Sequence, residues 1–150
     1  MEKVFEDYFS ELQADMVALA LEYVNKQAEK IYIYCACENN GLAFDVFYKL
    51  KDGFFRKHKL NGNLGNSSYD VSIDRQRALI KYGIEDLKSI YDLCIKDKRK
   101  MPTEMKLIYD VNNNSLEANY SYEIIYSNNK NLLPDHIFNQ WFEEVSQQEA

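Results

Sequence analysis

The chain has 150 residues, 46% of them hydrophobic and 28% charged, which is enough for one sizeable core and ordinary for a soluble globular domain. Twelve Tyr and eight Phe against five Gly and two Pro argue against disorder and against a glycine-rich phosphate loop. A formal net charge of −6 argues against a nucleic-acid binder, which normally carries a basic stripe.

In chain order, residues from about 3 to 27 read as a helix. Val4, Phe5, Tyr8, Phe9, Leu12, Met16, Leu19, Tyr23 and Val24 recur at three and four, with acids between them and no Gly or Pro. IYIYCACE then alternates Ile31, Ile33, Cys35 and Cys37 against Tyr32, Tyr34 and Ala36, as a strand does. The NNG at 39–41 and the KDG at 51–53 are hairpin signals, and they divide IYIYCACE, LAFDVFYKL and FFRKHKL into a three-stranded antiparallel meander. NGNLGNSS, 61–68, reads as a polar loop.

A long helix follows, capped by Asp70 or Ser72, with Ile73, Ile80, Ile84, Leu87, Ile90, Tyr91 and Cys94 as its apolar stripe. KDKRK at 96–100 sets cations at its C-terminal end, where the helix dipole favours them, and Pro102 marks the stop. EMKLIYDV, an asparagine turn at 112–114 and SLEANYSYEIIY read as a second hairpin. In that last stretch Tyr120, Tyr122, Ile124 and Tyr126 share one parity, read mainly as core-facing. A final helix, about 135–147, carries Ile137, Phe138, Trp141, Phe142 and Val145, with Trp141 and Phe142 expected to anchor it to the sheet. The order α-βββ-α-ββ-α predicts a single α+β domain: one antiparallel sheet of about five strands with helices packed on it.

The acids are unevenly placed. Up to Glu29 there are seven (Glu2, Glu6, Asp7, Glu11, Asp15, Glu22, Glu29) against Lys3 and Lys26. After Lys100 there are eight (Glu104, Asp110, Glu117, Glu123, Asp135, Glu143, Glu144, Glu149) against Lys106 and Lys130. Two acidic ends repel nucleic acid and attract a basic protein. The simpler reading is a solvated surface kept for solubility.

Chemistry-bearing motifs are sparse. Three cysteines, Cys35, Cys37 and Cys94, argue against a disulfide framework and suit a reducing compartment. Cys35 and Cys37 share a strand parity that should face the core, and no second Cys or His pair follows at ligand spacing, so no metal and no cofactor are expected. His58 in RKHKL, expected on an edge or exposed strand, and His136 have no Ser or Cys partner at a recognisable spacing. Asp110, Glu117 and Glu123 across the second hairpin could gather around a hard cation, though such acids are more simply the wet face of a sheet. RKHK and KDKRK could touch phosphate, but against the net charge they more simply balance acids and cap a helix. MEKVFEDYFSEL lacks the basic-then-apolar pattern of a signal peptide, and no apolar run approaches the ~18 residues of a membrane span. The expectation is a cytoplasmic, non-catalytic binder without nucleic-acid or membrane partners.

Met101-Pro102-Thr103, with Asp110 seven residues on, then a turn, Leu116, Tyr120 and Tyr122, resembles the YezG/EsaG-like family of bacterial immunity proteins. In that family a Pro/Trp–Thr start leads into a strand ending in Asp, followed by a turn and an aromatic-bearing strand. The preceding layout is similar too: a helix, a meander beginning like KIYIY, and a long amphipathic helix. Met101 stands where the family often has Trp, and an asparagine run replaces a Gly-containing turn. The resemblance implies an antitoxin that binds a cognate secreted toxin of the LXG or type VII kind one-to-one, often a nuclease, and occludes it. Partner contacts are expected from Glu6, Asp7, Glu11 and Asp15 on the first helix, and from Asp110, Glu117, Asn119 and Glu123 on the second hairpin. The alternatives are an adaptor domain without a toxin partner, immunity to another toxin such as an NAD-degrading enzyme, or a small enzyme using His58 or Asp110.

Overall fold

In the computed structural model, which describes residues 3–62 and 69–148, the elements are α1 (Phe5–Tyr23), β1 (Lys30–Glu38), β2 (Gly41–Leu50), β3 (Gly53–Arg56), α2 (Ile73–Lys96), β4 (Glu104–Asp110), β5 (Ser115–Ser121) and α3 (Pro134–Gln148). One antiparallel five-stranded sheet runs β3-β2-β1-β4-β5. The α+β order is the one the sequence predicts.

β1 lies at the centre because both of its faces are apolar. Ile31, Ile33 and Cys35 point to one side and join Phe44, Val46, Tyr48, Met105 and Leu107 beneath α1 and α2. Tyr32, Tyr34 and Ala36 point to the other and join Phe47, Tyr126, Phe138 and Trp141 beneath α3. Trp141 sits 5.1 Å from the Phe47 ring and 5.7 Å from Tyr32, and Phe142 lies 5.1 Å from Phe47. Trp141 and Phe142 thus anchor α3 to the sheet. Asn39 and Asn40, at φ 50° and 65°, make the tight turn between β1 and β2. On the other face α2 approaches the sheet closely at Gly83: a Cβ there would lie 2.3 Å from the Phe44 ring.

Several boundaries differ from the sequence reading. α1 ends at Tyr23 rather than near 27, because Asn25 and Lys26 turn left-handed, the Lys26 N–H bonds the Leu21 carbonyl at 2.9 Å, and Val24 is buried as the chain drops to β1. The third strand stops at Arg56, and Lys57–Lys59 form a 3-10 turn, so His58 is not on a strand. The Lys57 ammonium reaches Asp45 at 2.9 Å and the Tyr23 hydroxyl donates to the Lys57 carbonyl at 2.9 Å, which draws the chain off the sheet edge. Ser72, not Asp70, caps α2: its hydroxyl accepts from the Arg75 N–H at 3.3 Å, while Asp70 accepts from the Ser72 N–H at 3.0 Å. Ile73 at the first turn of α2 is exposed rather than core. Of the loop read over 61–68, residues 63–68 lie outside the described residues.

The largest departure is the tyrosine strand. β5 ends at Ser121 instead of continuing to 126, and the shared parity of Tyr120, Tyr122, Ile124 and Tyr126 breaks. Tyr120, Tyr122 and Ile124 are exposed, and Tyr126 alone is buried, on the α3 side. Glu38 is the cause. Its carboxylate, 7% exposed, accepts from the Ile125 N–H at 2.9 Å, the Ser127 N–H at 2.9 Å and the Tyr126 N–H at 3.4 Å. Three consecutive donors converge on one acid, and the chain must leave the sheet to present them. Burial works to raise the Glu38 pKa, but the bonds from Ser127, Ile125 and Tyr126 outweigh it and hold it below the ordinary value of 4.5.

Two outcomes are expected. Gly83→Ala drives a methyl into the Phe44 ring and should cost about 1–3 kcal/mol in urea unfolding, although Ala is the better helix former. Glu38→Ala strands three backbone donors and should cost about 2–3 kcal/mol at pH 7. Because the folded pKa of Glu38 is lowered, its contribution is present above the ordinary value of 4.5 and fades as pH falls through the folded one, so the gap between wild type and Glu38→Ala should narrow in acid.

Candidate protein-binding surface

Along α1, Met16, Val17, Ala20 and Tyr23 face the core, which turns the acids outward or to the seam with α2. Tyr8, Glu11 and Leu12 of α1 face Ser89, Asp92, Leu93 and Lys96 of α2 across an open groove of about 510 Å³. Its floor is aliphatic, its rim carries Glu11, Asp92 and Lys96, and Tyr8 is an exposed aromatic beside them. Farther along the seam, Asp15 meets Asp86 of α2. Burial first, then the hydrogen bond and charge of Asp15, then the charge of Glu85, push the Asp86 carboxyl up to about 8. Among the described residues Asp86 Oδ2 is buried with no protein donor, as expected of two carboxyls that share one proton. The seam therefore holds back part of its negative charge at neutral pH.

The eight expected contact residues do not form one patch. Glu6 is 3.1 Å from Arg99, whose guanidinium lies 4.0 Å over the Phe5 ring. Asp7 caps its own helix, accepting from the Val4 N–H at 3.1 Å. Glu11 is 2.8 Å from Lys3 at the groove rim, and Asp15 faces Asp86. On the hairpin, Asp110 is occupied by the turn, accepting from the Asn113 N–H at 3.1 Å and its side-chain amide at 3.0 Å. Glu117 and Asn119 stand opposite Ile108 and Lys106, on the α3 side of the sheet and away from α1. Glu123 is exposed beyond the far end of β5, with its carbonyl held by the Thr103 hydroxyl at 2.6 Å. Asp110 pairs with Ser115 while Glu123 follows Ser121, so the cation cluster weighed from the sequence is not assembled.

His58 lines a pocket of about 190 Å³ with Asp45, Arg56, Lys57 and Asp135. Burial, then Lys57, Lys59 and Arg56, lower its pKa. It follows β3 at one sheet edge, and Asp110 ends β4, three strands away, so the two do not meet. Burial raises the pKa of Cys35 and Cys37, which leaves them as thiols at neutral pH. Among the described residues no group of three His, Cys, Asp or Glu side chains is placed to hold a metal ion, and no helix is long and apolar enough to cross a membrane.

Asp86, Asp92 and Glu38 were missed as working residues. Asp86 flanks the buried stripe, three residues after Gly83 and four before Ile90, a position where an acid meets whatever packs alongside. Glu38 is the one acid of β1, closing the apolar run 31–37, and that was its signal.

Because the folded pKa of Asp86 is raised from 3.8 to about 8, stability is full below the lower value and is lost as pH rises toward the upper one. Asp86→Asn should therefore raise the thermal midpoint at pH 8 and change it little near pH 4, read by thermal melts at both.

No protein-family model matches the chain, and a search of curated proteins found no match.

Proposed function

We propose that this chain is a non-catalytic, cytoplasmic immunity protein that binds a cognate secreted toxin one-to-one and occludes it, the toxin being a nuclease. The observation that carries the reading is the α1–α2 groove, where Glu11, Asp92 and Lys96 flank Tyr8 and Leu12, with the Asp15–Asp86 pair farther along the seam. A nuclease needs a basic surface for phosphate, and the carboxylates of Glu11 and Asp92 beside an exposed aromatic offer such a surface partners. Charge of this kind speeds encounter and excludes wrong partners, while Tyr8 and the aliphatic floor supply desolvated contact. The resemblance carried by Met101-Pro102-Thr103, Asp110, Leu116, Tyr120 and Tyr122 supports the same reading. The contacts we propose are Glu11 and Asp92 at the groove, with Asp15 and Asp86 farther along the seam; Asp110 accepts hydrogen bonds within its own turn.

Co-expression with the toxin encoded beside this gene should rescue growth and yield a stable complex. Loss of both, with each protein folded, would sink the reading in favour of an adaptor, or of an enzyme if turnover is found. Within a complex, Glu11→Lys with Asp92→Lys should slow association by about tenfold or more and flatten its salt dependence. Stability should change little, since the Lys3–Glu11 pair is exposed and screened by solvent.

A further inference from the structure

The two edges of the sheet are built differently. β3 has four residues, ends on Arg56 and turns at once into Lys57–Lys59. A short, charged edge resists pairing with another chain. β5 has seven residues, Ser-Leu-Glu-Ala-Asn-Tyr-Ser, with no Pro, Lys or Arg. It is the last strand of the sheet, so among the described residues the outward N–H and C=O groups of its backbone have no partner strand. Leu116 and Tyr120 are each 40% exposed.

We propose that β5 pairs antiparallel with β5 of a second copy, about a two-fold axis through Ala118, joining two sheets into one. The strand is self-complementary in that register. Ser115 meets Ser121 of the second copy, Leu116 meets Tyr120, Glu117 meets Asn119, and Ala118 meets itself. Leu116, Ala118 and Tyr120 lie on the α1–α2 face, since Leu107 and Met105 opposite Ala118 and Tyr120 are buried there. A perpendicular two-fold keeps that face on the same side in both copies, so each Leu116 packs on a Tyr120. Tyr120 is already held for this role: its hydroxyl accepts from Gln13 Nε2 at 2.7 Å and its ring lies 5.8 Å from Phe9. The single charge on the strand, Glu117, meets a neutral amide. Centring the axis on Glu117 instead would set acid against acid, so charge selects the Ala118 register. An isologous interface of this kind closes at two copies.

The test is sedimentation across a concentration series for wild type, Asn119→Asp, and Glu117→Lys with Asn119→Asp. Asn119→Asp faces Lys106 within its own sheet, so the fold tolerates it, but it sets an acid against Glu117 on both sides of the axis. Dimer dissociation should rise on the order of tenfold. The double variant pairs Lys with Asp across the axis and should restore the dimer, a rescue that a defect in folding would not show. Wild type that stays monomeric at every concentration reached overturns the proposal, as does a dimer indifferent to both variants. A monomer whose β5 amides gain exchange protection only on adding a toxin assigns the edge to that partner and also overturns it.

Discussion

A strand buried on both faces is the constraint from which the rest follows. β1 puts Ile31, Ile33 and Cys35 on one side and Tyr32, Tyr34 and Ala36 on the other, and none of these side chains can be left in water at tolerable cost. It must therefore have neighbours on both edges and cover on both faces. β2 and β4 supply the edges, α1 and α2 cover the aliphatic face, and α3 covers the aromatic one. Cover thins away from β1. β5 lies beyond the reach of full burial, which leaves its tyrosine and leucine half in solvent.

The same demand shapes the surface. α1 and α2 lie side by side on one face, so acids at the margins of their buried stripes are pressed against one another. Asp15 and Asp86 are unremarkable on separate helices, and become a proton-sharing pair only because the helices pack. A groove edged by Glu11, Asp92 and Lys96 beside an exposed Tyr8 is the physical basis for the proposed toxin-binding role. On the opposite face Lys106 lies 5.4 Å over the Trp141 ring and 3.9 Å from Glu104.

Glu38 shows how one buried acid can overrule a strand pattern. Residues 118–126 alternate as a strand should, yet a continuous strand would leave the Glu38 carboxylate unsatisfied at the end of β1. Turning the backbone so that three N–H groups meet it satisfies the acid and delivers Tyr126 to the α3 side. A buried charge with no donors costs more than a few strand residues contribute.

Local pattern was sufficient for the order of elements. The three-and-four spacing of α1 and α2, the alternation in β1 and β2, and the asparagine turn at 39–40 each depend on neighbours a few residues away, and each is present in the structure. The anchoring of α3 by Trp141 and Phe142 was legible for the same reason. What tertiary structure decided depends on contacts far apart in the chain: Glu38 with 125–127, Lys57 with Asp45 and Tyr23, and Asp15 with Asp86. Of the eight acids and amides chosen from the sequence, Glu11 and Asp15 reach the seam, Asp7 and Asp110 serve local caps, and Glu117 and Asn119 turn to the other side. A sequence tells which residues are charged. Which charges meet is set by how helices and strands pack, because electrostatic neighbours across a fold have no fixed spacing along the chain.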